Sequence, residues 1–179
     1  MNKDSFIEDI KNYNPDNPEE RAYRLKFLQL LKNENCYSRE SLEAHFTASA
    51  WITNPSLSKV LLLHHFKLDR WLQPGGHADN ETNLLNVAKK ELQEETGIEV
   101  DNQDTTFFDI DIHTIPQRKE VPEHEHFDVR FHFIVNEETS LTKNKESNQI
   151  KWFNIEEVAE LTKGELSFKR MINKTLARK

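Results

Sequence analysis

The stretch Gly75-Gly76-His77-Ala78-Asp79-Asn80-Glu81-Thr82-Asn83-Leu84-Leu85-Asn86-Val87-Ala88-Lys89-Lys90-Glu91-Leu92-Gln93-Glu94-Glu95-Thr96-Gly97-Ile98 decides how the rest of the chain is read. Two glycines after Pro74 mark a tight turn with accessible carbonyls, and they are two of only four in the chain. A helix over residues 84–95 follows, and Gly97 is placed to end it. Glu91, Glu94 and Glu95 fall at i, i+3 and i+4, which puts all three on one helix face. Like charges at that spacing repel, and near a helix C-terminus they also oppose the macrodipole. Leu84, Leu85, Ala88 and Leu92 form an apolar arc that Glu91 and Glu95 border, so part of the cluster is expected to be buried. Partly buried like charges call for a cation, and Mg²⁺ or Mn²⁺ suits oxygen ligands. The competing reading is a solvated acidic helix paired with Lys89 and Lys90; the flanking glycines favour the metal.

Outward from this segment, residues 48–53 and 59–66 read as strands separated by Asn54-Pro55-Ser56. Residues 106–113 alternate, with Phe108, Ile110 and Ile112 on one face and Asp109, Asp111 and His113 on the other. Residues 126–134 alternate more strictly: Phe127, Val129, Phe131 and Phe133 against His126, Asp128, Arg130 and His132. Residues 149–153 form a short strand, and 155–161 and 165–177 two helices. Before all of these, Asn17-Pro18-Glu19-Glu20 combines an N-cap, a first-turn proline and a capping-box glutamate, with Tyr23, Phe27, Leu30 and Leu31 at helical spacing behind it. A second short helix is expected over residues 38–45. Strands on both sides of a central helix predict an α/β (α+β) sandwich, with a helical N-terminal extension over residues 1–44 and one domain over 45–179.

The length of 179 residues fits one domain with a short extension. A net charge of −7 argues against a general nucleic-acid-binding surface and leaves room for an acidic, cation-capturing site. The single Cys36 excludes an intramolecular disulfide and a CxxC zinc site. No apolar run approaches a membrane span, and the N-terminus, carrying Asp4 without a hydrophobic region, does not read as a signal peptide, so a cytoplasmic protein is expected.

The quoted stretch resembles the Nudix box, G-x5-E-x7-R-E-U-x-E-E-x-G-U with U aliphatic. Gly76, Glu91, Leu92, Glu94, Glu95, Gly97 and Ile98 match it at the required spacing; Thr82 stands in place of the first glutamate and Lys90 in place of arginine. Trp71-Leu72-Gln73-Pro74 before the box, and Ile150-Lys151-Trp152-Phe153 with an acidic helix after it, resemble the family's flanks, so the likeness covers about residues 46 to 175. The resemblance implies an α/β/α sandwich with a mixed sheet and hydrolysis of a nucleoside diphosphate linked to another moiety. It makes Glu91, Glu94 and Glu95 metal ligands and catalytic groups, with Glu91 a candidate base and the Gly76 carbonyl a further ligand. Lys90 keeps arginine's charge without its fork, and Thr82 serves as an N-cap or is replaced in role by Asp79 or Glu81.

The GGHAD sequence together with the HxHxDxRF strand resembles a bacterial Nudix subgroup, which makes His77, His126, Asp128 and Arg130 candidate substrate contacts lining a cleft. Zinc on His124 and His126 is a minor alternative from spacing alone. His64 and His65 receive no role. Arg118 and Lys119 read as a solvated loop, and Glu146 is a weak candidate for an additional metal ligand. The expected partner is a small-molecule diphosphate, with no membrane or nucleic-acid partner and a homodimer left open. A non-catalytic, nucleotide-sensing Nudix domain is the alternative; isopentenyl-diphosphate isomerisation is discounted because Cys36 precedes the core.

Overall fold

The computed structural model describes residues 3–101 and 105–179; Met1 and Asn2, part of the stretch read for targeting, lie outside them. Helices α1 (Lys3–Asn12) and α2 (Pro18–Leu30) lead into strand β1 (Ala44–Thr53). Next come β2 (Lys59–His65), β3 (Arg70–Leu72), β4 (Gly75–His77), helix α3 (Leu84–Thr96), β5 (Thr105–Ile115), β6 (His124–Ile134), β7 (Ser147–Asn154), α4 (Ile155–Leu161) and α5 (Leu166–Leu176). The sheet runs β3-β2-β1-β6-β5, with β4 also on β1 and β7 also on β2. It is mixed: β1 and β6 are parallel from Ala44↔Glu125 to Thr53↔Ile134, and the other pairs are antiparallel.

Two apolar cores hold the helices to the two faces. Phe46, Ala48, Ala50 and Ile52 of β1 and Phe127, Val129, Phe131 and Phe133 of β6 pack against Leu84, Val87, Ala88 and Leu92 of α3 and against Phe6, Ile10 and Phe27 of α1 and α2. On the other face Trp51, Val60 and Leu62 meet Ile155 and Val158 of α4 and Phe168, Met171 and Ile172 of α5. The result is the expected α/β/α sandwich. The N-terminal helices share the first core, and Phe27 lies 5.7 Å from Phe46 and 5.1 Å from Phe127, ring centre to ring centre.

Asn17 caps α2 as expected, accepting the Glu20 backbone N–H at 2.9 Å. The helix expected over residues 38–45 is not there. Ser38 Oγ instead accepts from the Glu40 amide, single turns follow, and β1 claims Ala44 and His45 by pairing with β6. Strand β5 also departs from its simple alternation. A β-bulge between Phe107 and Asp109 moves Phe108 off the face of Ile110 and Ile112 and into the α4–α5 core.

The polar faces of β5 and β6 are closed by charge pairing. Arg130, 3% exposed, directs its three guanidinium nitrogens at Asp109, Asp111 and Asp128, each 3.0 Å away. Asp128 also accepts from Thr47 Oγ1 at 3.0 Å and Ser49 Oγ at 2.8 Å. Arg170 of α5 adds contacts to Asp109 (2.9 Å) and Asp111 (2.6 Å), and Lys174 reaches Asp109 at 2.7 Å and Glu20 and Tyr13 of the N-terminal segment. Burial alone would raise the Asp109 and Asp111 carboxyls; Arg130 and Arg170 hold them below the usual carboxylate range instead.

Candidate functional site

Pairing of β4 with β1 sets the Gly-Gly turn against α3. Gly76 lies opposite Ala48, on the α3 side of the sheet, and a β-carbon on it would fall 2.5 Å from the Glu91 carboxyl. Glycine at this position therefore makes room for a carboxylate directly against backbone. Gly75 faces the other way; a β-carbon there would fall 2.6 Å from that of Ser49, and its N–H donates to Glu95 Oε2 at 3.0 Å. Gly97 ends α3 in the left-handed region (φ 76°) with its N–H on the Gln93 carbonyl, as expected.

The three glutamates differ in environment. Glu95 is buried, and burial pushes its carboxyl up to about 8 against the pull of the Gly75 N–H, with Glu91, Glu146 and Glu94 adding to the rise. Glu91 is also raised, mainly by burial, with Lys90 opposing and Glu94, Glu146 and Asp79 reinforcing. Glu94 is exposed and lies 3.7 Å from the Lys90 ammonium, so the lysine in the arginine position faces a box carboxylate. A buried and a half-buried carboxyl pushed towards protonation, with a third beside them, are what a divalent cation would restore to charge, and the donor set is all oxygen.

Thr82 is exposed and is not the N-cap; α3 begins after Asn83. Glu81 accepts the Asn83 N–H at 2.7 Å, and Asp79, held in the left-handed region (φ 49°), makes a two-pronged pair with Arg39 at 2.5 Å. Glu146 is exposed and adds to the field at both Glu91 and Glu95.

The substrate candidates fall on the other face of the sheet. His77 pairs with Thr47, opposite Asp128, so it points away from Gly76 and α3. Asp128 and Arg130 are buried in the charge network, and the surface expected to unite them with the box helix is divided by the sheet itself. His126 and His77 belong instead to a group that sequence reading did not assemble. His45, His77, His113, His124 and His126 cluster with neighbouring ring centres 4.9–5.4 Å apart, one pair stacked and the others tilted or edge-to-face. Burial lowers His77 to about 4 and His126 to about 2, with neighbouring imidazoles adding to the effect and, at His77, Arg39 adding and Asp79 opposing. From sequence, His45 falls at the end of the helix expected over residues 38–45; the register that sets it opposite His126 is a long-range fact. His64 and His65 are half-buried at the end of β2, and Arg118 and Lys119 sit exposed in the β5–β6 loop. An open groove of about 1330 Å³ lies away from the glutamates, between the N-terminal segment and α5, where Tyr13, Phe107, Arg170 and Lys174 line it.

A mixed sheet between helical layers carries a loop–helix–loop in which a glycine turn receives two carboxylates of a glycine-ended helix. The family model described as NUDIX domain matches residues 43–174, and the chain belongs to that family as a Nudix-type hydrolase, whose common chemistry is cleavage of a pyrophosphate bond. The fold is similar to the Escherichia coli dihydroneopterin triphosphate pyrophosphohydrolase (TM-score 0.60, 19% identity, 75% of this chain and 96% of that one). It is similar to the MutT protein of Bacillus halodurans (0.55, 26%, 71% and 81%) and to a Caenorhabditis elegans Ap4A hydrolase (0.53, 18%, 74% and 96%). No curated protein matches the sequence.

Proposed function

We propose that the protein is a Mg²⁺- or Mn²⁺-dependent pyrophosphohydrolase acting on a nucleoside diphosphate linked to another moiety. The observation that carries this reading is the Glu91 carboxyl seated against Gly76, with Glu95 tied to the Gly75 amide beside it. Glu91, Glu94, Glu95 and the Gly76 carbonyl would hold the metal. Once bound, the ion offsets charge on the diphosphate oxygens and lowers the pKa of a water.

The chain's own residues prepare that site. The glycine backbone makes room for Glu91 and holds Glu95 by a hydrogen bond, Lys90 lies beside Glu94, and Glu91 is the candidate base. Arg39, between α2 and β1, and Asp79, on the loop leading to α3, form a charged pair whose field reaches Glu91. Asp128 and Arg130 act in this reading as the frame of the β1–β6 pair rather than as substrate contacts, because each guanidinium nitrogen already faces a carboxylate. A sensor that binds nucleotides without cleaving them is the weaker reading, since the late box carboxylates are intact. No helix among the described residues is long and apolar enough to cross a membrane, and the net charge of −7 favours a small-molecule substrate over nucleic acid.

The test is a hydrolysis screen over dinucleoside polyphosphates, nucleotide sugars, NADH, coenzyme A and nucleoside triphosphates with each metal. Activity is expected only with divalent metal, and Glu94→Gln or Glu95→Gln should lower kcat by roughly 100-fold or more by removing a charged ligand. A Glu95→Gln enzyme with full turnover at limiting metal would overturn the assignment.

A further inference from the structure

We propose that His45, His77 and His126 form a second, chemically distinct metal site, for zinc or a similar borderline divalent ion, on the sheet face opposite the box glutamates. Three strands contribute one imidazole each, β1, β4 and β6, and their ligand nitrogens lie within 4.8 Å of one another. A tetrahedral ion about 2.0–2.1 Å from each nitrogen would bring neighbouring nitrogens to about 3.3 Å, a closure that small ring rotations supply. The ring centres already stand 5.2, 4.9 and 4.9 Å apart, close to the roughly 5 Å that such coordination implies.

An independent observation comes from His45. It is 2% exposed, and its Nδ1 lies 3.1 Å from the Ser41 carbonyl, which can only accept, so Nδ1 carries the proton. The lone pair is therefore on Nε2, and that atom is buried with no hydrogen-bond partner among the described residues. A buried orphan acceptor is destabilising, and coordination would satisfy it. A backbone carbonyl fixing the distal N–H is also how metal-binding histidines are usually oriented.

His124 repeats the arrangement beside it. Its Nδ1 lies 2.8 Å from the Pro122 carbonyl, which leaves Nε2 to face His126 Nε2 at 3.2 Å, near the separation of two ligands on one ion. The fourth position falls to this nitrogen or to water. Imidazoles select zinc, copper or nickel over magnesium, so this site and the carboxylates would sort ions by chemistry. The proposal stands apart from the assignment of hydrolysis, since it concerns other residues and another ion.

The experiment uses the full chain, stripped with chelator and titrated with Co²⁺ in a large excess of Mg²⁺. One Co²⁺ per chain is expected, with the visible absorption of a nitrogen-bound, low-coordinate ion, displaced by one equivalent of Zn²⁺. Separate His77→Gln and His126→Gln variants, checked for native circular dichroism, should lose at least about 100-fold in affinity; Glu94→Gln should keep the spectrum. His77 is half-buried on a short strand, so that variant decides the matter if His126→Gln fails to fold. No spectrum in the wild type, a spectrum unchanged in the folded histidine variants, or one lost in Glu94→Gln or abolished by Mg²⁺ would each overturn the site.

Discussion

At Gly76 a single hydrogen in place of a side chain determines whether Glu91 can lie against the backbone of β4. Alanine there brings a methyl carbon to 2.5 Å from the carboxyl, closer than real contacts allow, so Glu91 must leave its seat. Gly76→Ala is expected to fold, because Glu91 is a long side chain that can swing outward, but its metal affinity and kcat should fall at least about 10-fold. Isothermal titration with Mn²⁺ and steady-state kinetics on the best substrate check this; unchanged metal affinity would show that the seat does not matter. Gly75→Ala meets the β-carbon of Ser49 and backbone atoms, which cannot swing away, and it tests the fold instead.

Among the elements, β6 carries the clearest division of labour, with four apolar side chains on one face and His126, Asp128, Arg130 and His132 on the other. Arg130 is shared by three buried carboxylates; Arg170 and Lys174 also serve Asp109 and Asp111, but Arg130→Ala leaves Asp128 with the Thr47 and Ser49 hydroxyls alone and should destabilise the protein by about 3–5 kcal/mol. Urea denaturation measures the loss. Full stability with a raised KM would instead return Arg130 to the substrate. The alternation of β6 and the helix of the box were legible because each is local: period two in the first, and in the second an apolar arc ended by Gly97. The bulge that turns Phe108 over was not, since it depends on how β5 meets β6. Nor was the three-residue β4, whose pairing with β1 decides that Gly76 faces α3 and His77 faces the other imidazoles. The carboxylate half of the candidate site could thus be read from spacing, whereas the histidine group needed the register of three strands.

For the molecule as a whole, the N-terminal helices pack into the same core as the sheet and α3. Phe6, Ile10 and Phe27 are fully buried in the same core as α3, and Glu20, buried without exposure, joins Lys174 of the last helix. A chain begun at Glu43, close to the start of the family match, would expose Phe46 and Phe127 and leave Lys174 and Asp109 without Tyr13 and Glu20. Such a truncation should lack a cooperative thermal transition and aggregate at micromolar concentration, as judged by calorimetry and gel filtration; a monomer with a transition within a few degrees of the full chain would show that the helices are dispensable.

The long parallel pairing of β1 with β6 also governs how fast the protein can reach this state. Thr47 and Asp128, joined by a hydrogen bond, are 81 positions apart in sequence. Their meeting closes a large loop before any of its contacts is repaid, and chains dominated by such distant contacts fold slowly. During synthesis β1 is therefore expected to wait with its β6-facing edge unpaired until the chain beyond residue 134 is released, an interval in which that edge is a site for association between copies.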